Sequence, residues 1–197
     1  MDTPGRRCKF IVLTGGPGAG KTATLEVVRK KFLERIAIVP EAASVIFGSG
    51  FWRREEVCMQ KAAQRAIYHL QREMEAALEE KGNTVAALCD RGTIDGLAYW
   101  PDVEESFWRE LQTTRKAELE RYTTVIHLRT PSIGRGYNHD NPIRIENARE
   151  AAQIDARILK AWDGHPNRII IDSTDNFLEK IAKALDAIKN QIVQIVG

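Results

Sequence analysis

A glycine-rich loop near the start of the chain carries its clearest chemical pattern. The loop fits the spacing G-x-x-x-x-G-K-[ST], in which successive backbone amides turn inward and form a nest for anions. The lysine of such a loop reaches the β- and γ-phosphates of a nucleotide, and the hydroxyl that follows it is a ligand for Mg²⁺. The predicted phosphate-binding residues are Gly15, Gly16, Pro17, Gly18, Ala19, Gly20, Lys21, Thr22 and Ala23. Lys21 is also predicted to be catalytic, and Thr22 to bind the metal.

Both flanks of the loop support this prediction. Residues 10–13 form a short run of β-branched and aromatic side chains, as a buried strand requires, and Leu25, Val28 and Phe32 recur at helical spacing after the loop. A strand, a glycine-rich loop and a helix in this order bind phosphate because the helix N-terminus adds its dipole to the amides. ATP is the expected nucleotide, with GTP as the alternative.

A carboxylate follows the second predicted strand. Residues 36–39 are apolar and are followed by Pro40 and Glu41. In an open parallel sheet, ligands bind at the carboxyl ends of the strands, so Glu41 is expected to face the phosphate loop. It could accept a proton from an acceptor hydroxyl, or orient that hydroxyl, during phosphoryl transfer. The alternative is an acidic residue at the start of the next helix, where the dipole favours it.

The third predicted strand also ends in charged residues. Residues 84–89 close with four apolar side chains, and Asp90, Arg91 and Gly92 come next. Four apolar residues followed by an aspartate form the Walker B pattern, in which the carboxylate holds Mg²⁺ directly or through water. Asp90 is therefore a predicted metal ligand, and Arg91 is predicted to lie beside the transferred phosphoryl group or the acceptor hydroxyl. The alternative is a turn that simply ends the strand.

Residues 130–146 are predicted to form a lid. The segment is rich in proline, glycine, asparagine and aspartate, and it is too long for a simple connection. It contains Arg135 and Arg144, while Arg129 ends the fourth strand and Arg149 lies just beyond the segment. Guanidinium groups match phosphate oxygens, so Arg144 and Arg149 are named as catalytic candidates. The alternative is a set of surface arginines paired with nearby carboxylates.

Further candidates concern the ring of a substrate. Tyr99 and Trp100 could stack on such a ring, although packing in the core is the commoner use of buried aromatic residues. Gln60 and Gln64 lie one helical turn apart and could bond to a base or an amide, or could be ordinary helix-surface glutamines. The base of the triphosphate is expected to contact residues 172–174, after the last strand.

The elements that position these residues alternate along the chain. Strands are predicted at 9–14, 36–39, 84–89, 123–128 and 168–171, and helices at 21–34, 53–81, 104–121, 146–162 and 176–194. This alternation predicts an α/β fold with a parallel sheet and helices on both faces. At 197 residues, the chain is expected to form one nucleotide-binding domain over residues 1–197.

The composition limits the classes of partner and the cellular compartment that we expect. The charged fraction is 28% and the net charge is +2, so no nucleic-acid partner is expected. The three cysteines are Cys8, Cys58 and Cys89, an odd and widely spaced set that favours a reducing compartment over a disulfide framework or a zinc site. Neither a signal peptide nor a transmembrane segment is expected, which predicts a cytoplasmic location. The oligomeric state is left open.

Taken together, these motifs resemble the nucleoside- and nucleotide-kinase branch of the P-loop NTPases, and within it the AAA_28 group of ATPase-like domains. The segments that carry the resemblance are TGGPGAGKT (14–22), VPEAA (39–43), CDRGTIDGLAYWP (89–101) and RIENAREAAQIDARILKAW (144–162). The group includes the nicotinamide-riboside-kinase domain of bacterial NAD regulators and a domain of an animal protein associated with GTP and phospholipid. The resemblance implies a five-stranded parallel sheet, a triphosphate with Mg²⁺, Glu41 at the acceptor hydroxyl, Asp90 at the metal and a lid after the fourth strand.

The sequence therefore predicts a Mg²⁺-dependent kinase that transfers the γ-phosphoryl group of ATP to a small-molecule acceptor resembling a nucleoside or a nucleotide. The alternative is a regulatory NTPase that binds ATP or GTP and whose nucleotide state is read by a protein or lipid partner. Two features of other P-loop classes are missing from the sequence: the N-K-x-D pattern that reads guanine, and an acidic residue directly after Asp90, as hexameric motors have.

Overall fold

Five parallel strands form the sheet that positions the predicted site. The computed structural model describes residues 8–32, 36–131, 148–174 and 176–196. The strands are β1 (Lys9–Thr14), β2 (Ala37–Val39), β3 (Ala86–Asp90), β4 (Tyr122–Leu128) and β5 (Arg168–Ile171), in the spatial order β2-β3-β1-β4-β5. Every neighbouring pair is parallel, which confirms the predicted α/β fold of a P-loop NTPase.

The central strand, β1, has a continuous run of apolar residues because both faces of the sheet are covered at this strand. Phe10 and Val12 pack into the hydrophobic core on one face of the sheet, and Ile11 and Leu13 pack into the core on the other face. Each of these side chains is at most 3% exposed. A strand that is covered on both faces needs apolar residues at every position rather than at alternate ones. The end of β1, where the glycine-rich loop begins, is therefore rigidly held.

The described residues contain seven α-helices. They are α1 (Lys21–Phe32), α2 (Ala42–Gly48), α3 (Val57–Lys81), α4 (Glu104–Glu110), α5 (Arg115–Leu119), α6 (Ala148–Ala161) and α7 (Phe177–Val196). Side chains of α3 and α6 contribute to one core, and side chains of α1 and α7 to the other. A 3-10 helix, Thr93–Tyr99, follows β3. Among the described residues, no helix combines the length and the apolar character needed to cross a membrane.

The helices differ from the sequence prediction in three places. The single helix predicted over 104–121 is wrong, because Gln112 has a φ of 52° and ends one helix before Thr114 caps the next. The long helix begins at Val57 rather than at residue 53, and the short helix α2 was not predicted. Of the predicted lid at 130–146, residues 132–146 lie outside the described parts of the chain.

Candidate active site

The phosphate loop connects β1 to α1 and turns sharply at its glycines. Gly15, Gly18 and Gly20 have φ values of 139°, 72° and 97°, a region that other residues rarely adopt. At Gly15 the backbone also approaches the end of β4, since a Cβ atom there would lie 2.1 Å from the carbonyl oxygen of Leu128. Only glycine allows the loop to pass this close to the neighbouring strand.

Lys21 and Thr22 begin α1 in two different environments. The Lys21 side chain is buried and its Nζ donates to the carbonyl oxygens of Gly15 and Gly16, at 2.9 and 3.2 Å, so the ammonium group lies against the loop. Thr22 is exposed on the first turn of the helix. Asp90 ends β3 directly opposite Leu13, at the edge of the sheet where the loop begins. A hydroxyl and a carboxylate are hard oxygen donors, so these two residues fit Mg²⁺.

Glu41 and Arg91 form a mostly buried ion pair at the carboxyl ends of β2 and β3. Arg91 Nε donates to Glu41 Oε1 at 2.6 Å, and the Ser44 hydroxyl donates to the other carboxylate oxygen. Burial by itself would raise the pKa of the Glu41 carboxyl, but the charges of Arg91 and Lys21 and the two hydrogen bonds outweigh it and lower that pKa to about 2. Glu41 also occupies the N-cap position of α2, without making a side-chain capping bond.

The backbone of Arg91 is held in an unusual conformation. Its φ is 75°, and its N–H donates to the carbonyl oxygen of Leu13 at 3.1 Å. The guanidinium then lies between the loop and the 3-10 helix, with Nη1 at 3.3 Å from the Gly15 carbonyl oxygen and 3.4 Å from Asp95 Oδ2. A non-glycine residue in this region costs about 1–3 kcal/mol, and such residues cluster at functional sites.

Asp95 completes this group and was not predicted from the sequence. It is 3% exposed and accepts hydrogen bonds from Thr14 Oγ1 at 2.6 Å and from Trp162 Nε1 at 2.5 Å, besides the contact with Arg91. Its position four residues after Arg91, on the turn that follows the strand, was the available signal. Asp95 links the last residue of β1, the arginine and the core.

A cavity of about 490 Å³ opens beside this group. It lies between the phosphate loop, α2, α3 and the 3-10 helix, and its volume falls in the range of small-molecule sites. Polar, charged and aromatic side chains line it: Glu41, Ser44, Phe47, Arg53, Arg54, Glu55, Gln60, Gln64, Tyr68, Gln71, Arg91, Thr93, Asp95, Tyr99, Trp100 and Arg157, together with Pro17 of the loop. The candidate site is therefore a phosphate loop with an adjoining cavity.

Residues 10–180 match the family model AAA_28, described as an AAA domain, and this match spans most of the chain. The chain belongs to the AAA_28 family. It is also similar to the thymidylate kinase of Halalkalibacterium halodurans, with 26% identity over 208 aligned positions that cover 93% of this chain and 97% of that kinase. The predicted membership of a P-loop, nucleotide-kinase-like group is confirmed, and the chain is an ATP-binding protein of that kind.

In this AAA_28 protein, the predicted ring-binding residues do reach the cavity. Gln64 is buried, whereas Gln60 is partly exposed and its Nε2 donates to the carbonyl oxygen of Glu55 at 3.0 Å. Trp100 also packs in the core, where its Nε1 donates to Ser106 Oγ at 2.7 Å. The ring centre of Tyr99 lies 5.9 Å from the Arg91 guanidinium. Trp100 therefore serves the core as well as the cavity wall.

The predicted arginines have different positions. Arg135 and Arg144 lie outside the described residues, and Arg149 is exposed on α6 and is not part of the cavity wall. Arg157, two turns further along α6, lines the cavity instead. Arg157 was not predicted from the sequence, and neither were Arg53 and Arg54, whose adjacent positive charges before a long helix were the available signal.

The predicted base loop precedes α7, whose first residue approaches the phosphate loop. Residues 172–174 follow β5, and the Thr174 hydroxyl donates to the carbonyl oxygen of Asn176 at 2.8 Å, just before α7. The Phe177 ring at the start of α7 lies 3.1 Å from the position a Cβ atom would take on Gly20. Residues 172–174 thus occupy the side of the loop opposite β3, as the strand order requires.

Proposed function

We propose that this AAA_28 protein is a Mg²⁺-dependent kinase that transfers the γ-phosphoryl group of ATP to a nucleoside- or nucleotide-like acceptor held in the cavity. The observation that carries the proposal is the position of Arg91. Its guanidinium contacts the phosphate loop at Gly15 and lines the cavity at the same time. A cation at this junction lies where a phosphoryl group would pass from the loop to an acceptor.

The cavity wall favours a nucleoside monophosphate as the acceptor. Arg53, Arg54 and Arg157 supply positive charge for an anionic group. Gln64 and Gln71, both buried, supply amide donors and acceptors of the kind that read the edge of a base. The similar protein named thymidylate kinase makes thymidylate the first acceptor to test.

The charged residues around the loop have different proposed roles. Lys21 binds the β- and γ-phosphates, and Arg91 stabilises the charge of the transferred group. Glu41 holds Arg91 and orients the acceptor hydroxyl or phosphate; with a pKa of about 2 it is a weak base, which suits a transfer that depends mainly on positioning. Thr22 and Asp90 would hold Mg²⁺, which neutralises phosphate charge when bound. We retain Arg144 and Arg149 as candidate contacts to the phosphates.

One assay tests this proposal. ADP formation from Mg·ATP is measured with thymidylate, other nucleoside monophosphates, nucleosides and nicotinamide riboside, for the wild type and for Lys21→Ala as a control. We expect a pyrimidine nucleoside monophosphate to stimulate ADP formation in the wild type and not in the variant. If Mg·nucleotide binds tightly and none of these acceptors stimulates turnover, the kinase proposal is wrong and the regulatory NTPase becomes the better reading.

A further inference from the structure

A buried carboxylate on the face of the sheet that α6 covers contacts the phosphate loop from behind. Asp155 of α6 is 2% exposed. Its Oδ1 accepts the Gly16 N–H at 3.0 Å and lies 2.9 Å from His127 Nε2, and its Oδ2 accepts the Arg129 Nε–H at 2.7 Å. One carboxylate thus joins the loop, the end of β4 and the residue after that strand.

The contact fits too closely to be incidental. A Cβ atom on Gly16 would lie 2.4 Å from Thr130 Oγ1 and 2.7 Å from Asp155 Cβ, so the loop passes directly between the segment that follows β4 and α6. The Thr130 hydroxyl also donates to the carbonyl oxygen of Pro17 at 3.1 Å. The first half of the loop is therefore held by side chains from two other elements, whereas its second half leads into α1.

The Arg129 guanidinium is fixed at its Nε by Asp155, and within the described parts of the chain its two Nη groups are available for another partner. Its side chain is 36% exposed. Within the described residues, Nε is the one side-chain nitrogen of Arg129 that makes a hydrogen bond, so both Nη groups retain their donors. A guanidinium fixed at Nε beside an anion-binding loop has the geometry to bind a phosphate oxygen through Nη.

An ionised carboxylate in contact with an anion-binding loop would by itself repel phosphate, so its charge must be offset by nearby cations. Burial by itself would raise the pKa of Asp155, but the bonds from His127, Arg129 and Gly16 lower that pKa to about 2, so the group is charged at neutral pH. Lys180 of α7 is also buried here, and its Nζ donates to the Arg129 carbonyl oxygen. The carboxylate is compensated by neighbouring cations, which favours a role in holding them.

We propose that Asp155 is a positioning residue of the triphosphate site: it fixes the phosphate loop at Gly16 and orients Arg129, whose Nη groups bind the phosphates of the nucleotide. This inference rests on the proposed use of the loop as a triphosphate site, but not on the acceptor or on phosphoryl transfer. The test therefore measures nucleotide binding and needs no acceptor.

A double-mutant cycle isolates the proposed link. The dissociation constant for Mg·ATP is measured by calorimetry for the wild type, Asp155→Asn, Arg129→Ala and the double variant, together with thermal unfolding of each. The asparagine keeps an oxygen for Gly16 but turns an amide donor toward Arg129 Nε, which releases the guanidinium. We expect each single variant to weaken binding roughly tenfold or more, the effect of losing one charge-assisted hydrogen bond, and the double variant to bind at most about threefold more weakly than either single variant.

Glu75→Gln is the matched control. Glu75 is also fully buried and ion-paired, with Arg121, but it contacts Tyr122 at the opposite end of β4 from the loop. This variant should lower the thermal midpoint without changing the dissociation constant, which separates positioning from general stability. If the wild type binds neither Mg·ATP nor Mg·GTP, the proposed triphosphate site falls and this inference falls with it.

Four outcomes overturn the inference alone while the wild type binds normally. They are unchanged affinity of Asp155→Asn, unchanged affinity of Arg129→Ala, effects that multiply to roughly a hundredfold in the double variant, and an equal loss of affinity in Glu75→Gln. If Asp155→Asn does not fold, Arg129→Ala still decides the matter, because its partly exposed side chain can be removed without a buried void. Unchanged affinity of Arg129→Ala then refutes the proposal.

Discussion

The substitution Glu41→Gln separates the function of this carboxylate from its place in the fold. Glutamine keeps the shape of the side chain and one oxygen that can accept from Arg91 Nε, but it removes the negative charge from a pair whose side chains are only 11% and 15% exposed. The substitution therefore removes the charge attraction between Glu41 and Arg91 while both side chains keep their positions. We expect the proposed triphosphate contacts at Lys21 and the loop amides to stay intact.

The expected size of the effect follows from the pKa of Glu41. The pKa of this carboxyl is lowered from an ordinary 4.5 to about 2 in the folded protein. Because each pKa unit corresponds to about 1.4 kcal/mol, the charged carboxylate contributes about 3 kcal/mol to stability as an upper value. Because a glutamine oxygen still accepts the bond from Arg91, we expect Glu41→Gln to lower the free energy of unfolding by about 1–3 kcal/mol at pH 7. A lowered folded-state pKa stabilises the protein above pH 4.5 and ceases to do so as the pH falls toward 2, so the difference from wild type should shrink over that window.

Two assays test the reasoning. Chemical denaturation at several pH values gives the stability difference, and acceptor-dependent ADP formation gives turnover, which we expect to fall about 10²-fold with Mg·ATP affinity nearly unchanged. Ser44→Ala is the control, since it removes the donor to the other carboxylate oxygen but leaves the Arg91 pair, and it should cost about 1 kcal/mol or less. A variant with wild-type turnover and a stability difference that does not vary with pH would refute the assignment and leave Glu41 as a helix-start carboxylate.

Three further predictions concern the phosphate loop and its surroundings. Lys21→Ala and Thr22→Ala should each weaken Mg·nucleotide binding in calorimetry while circular dichroism shows a retained fold; wild-type affinity in both would contradict the loop assignment. Gly16→Ala should weaken nucleotide binding and lower the thermal midpoint, because its Cβ atom would lie 2.4 Å from Thr130 Oγ1. Burial and the charge of Arg129 outweigh the charge of Asp155 and lower the pKa of Lys180 from 10.5 to about 8, so the buried ammonium costs stability in full below pH 8 and this cost disappears as the pH rises to 10.5. The free energy of unfolding of the wild type, relative to Lys180→Met, should therefore increase between about pH 8 and pH 10.5, and a constant difference would show that the ammonium is not desolvated.

The local conformation of the phosphate loop was predictable from the sequence. The glycine spacing, Lys21 and Thr22 describe a backbone conformation whose requirements involve only near neighbours in the chain, and the flanking apolar runs reveal a buried strand and a helix through their period. For the same reason the five strands were predicted to within two residues, although the short helix α2 and the break at Gln112 were not, because they depend on local turns with weak signals.

The composition of the site beyond the loop was decided by tertiary structure. Glu41 and Arg91 are 50 residues apart and meet because β2 and β3 are neighbours in the sheet, an order that no local pattern encodes. Asp155 is 139 residues from Gly16, and nothing about an aspartate on an amphipathic helix distinguishes a buried partner of the loop from an exposed side chain. Periodicity shows which face of an element is buried, but the residue that a side chain meets depends on how distant elements pack, and that is why the carboxylate behind the phosphate loop emerged only from the folded chain.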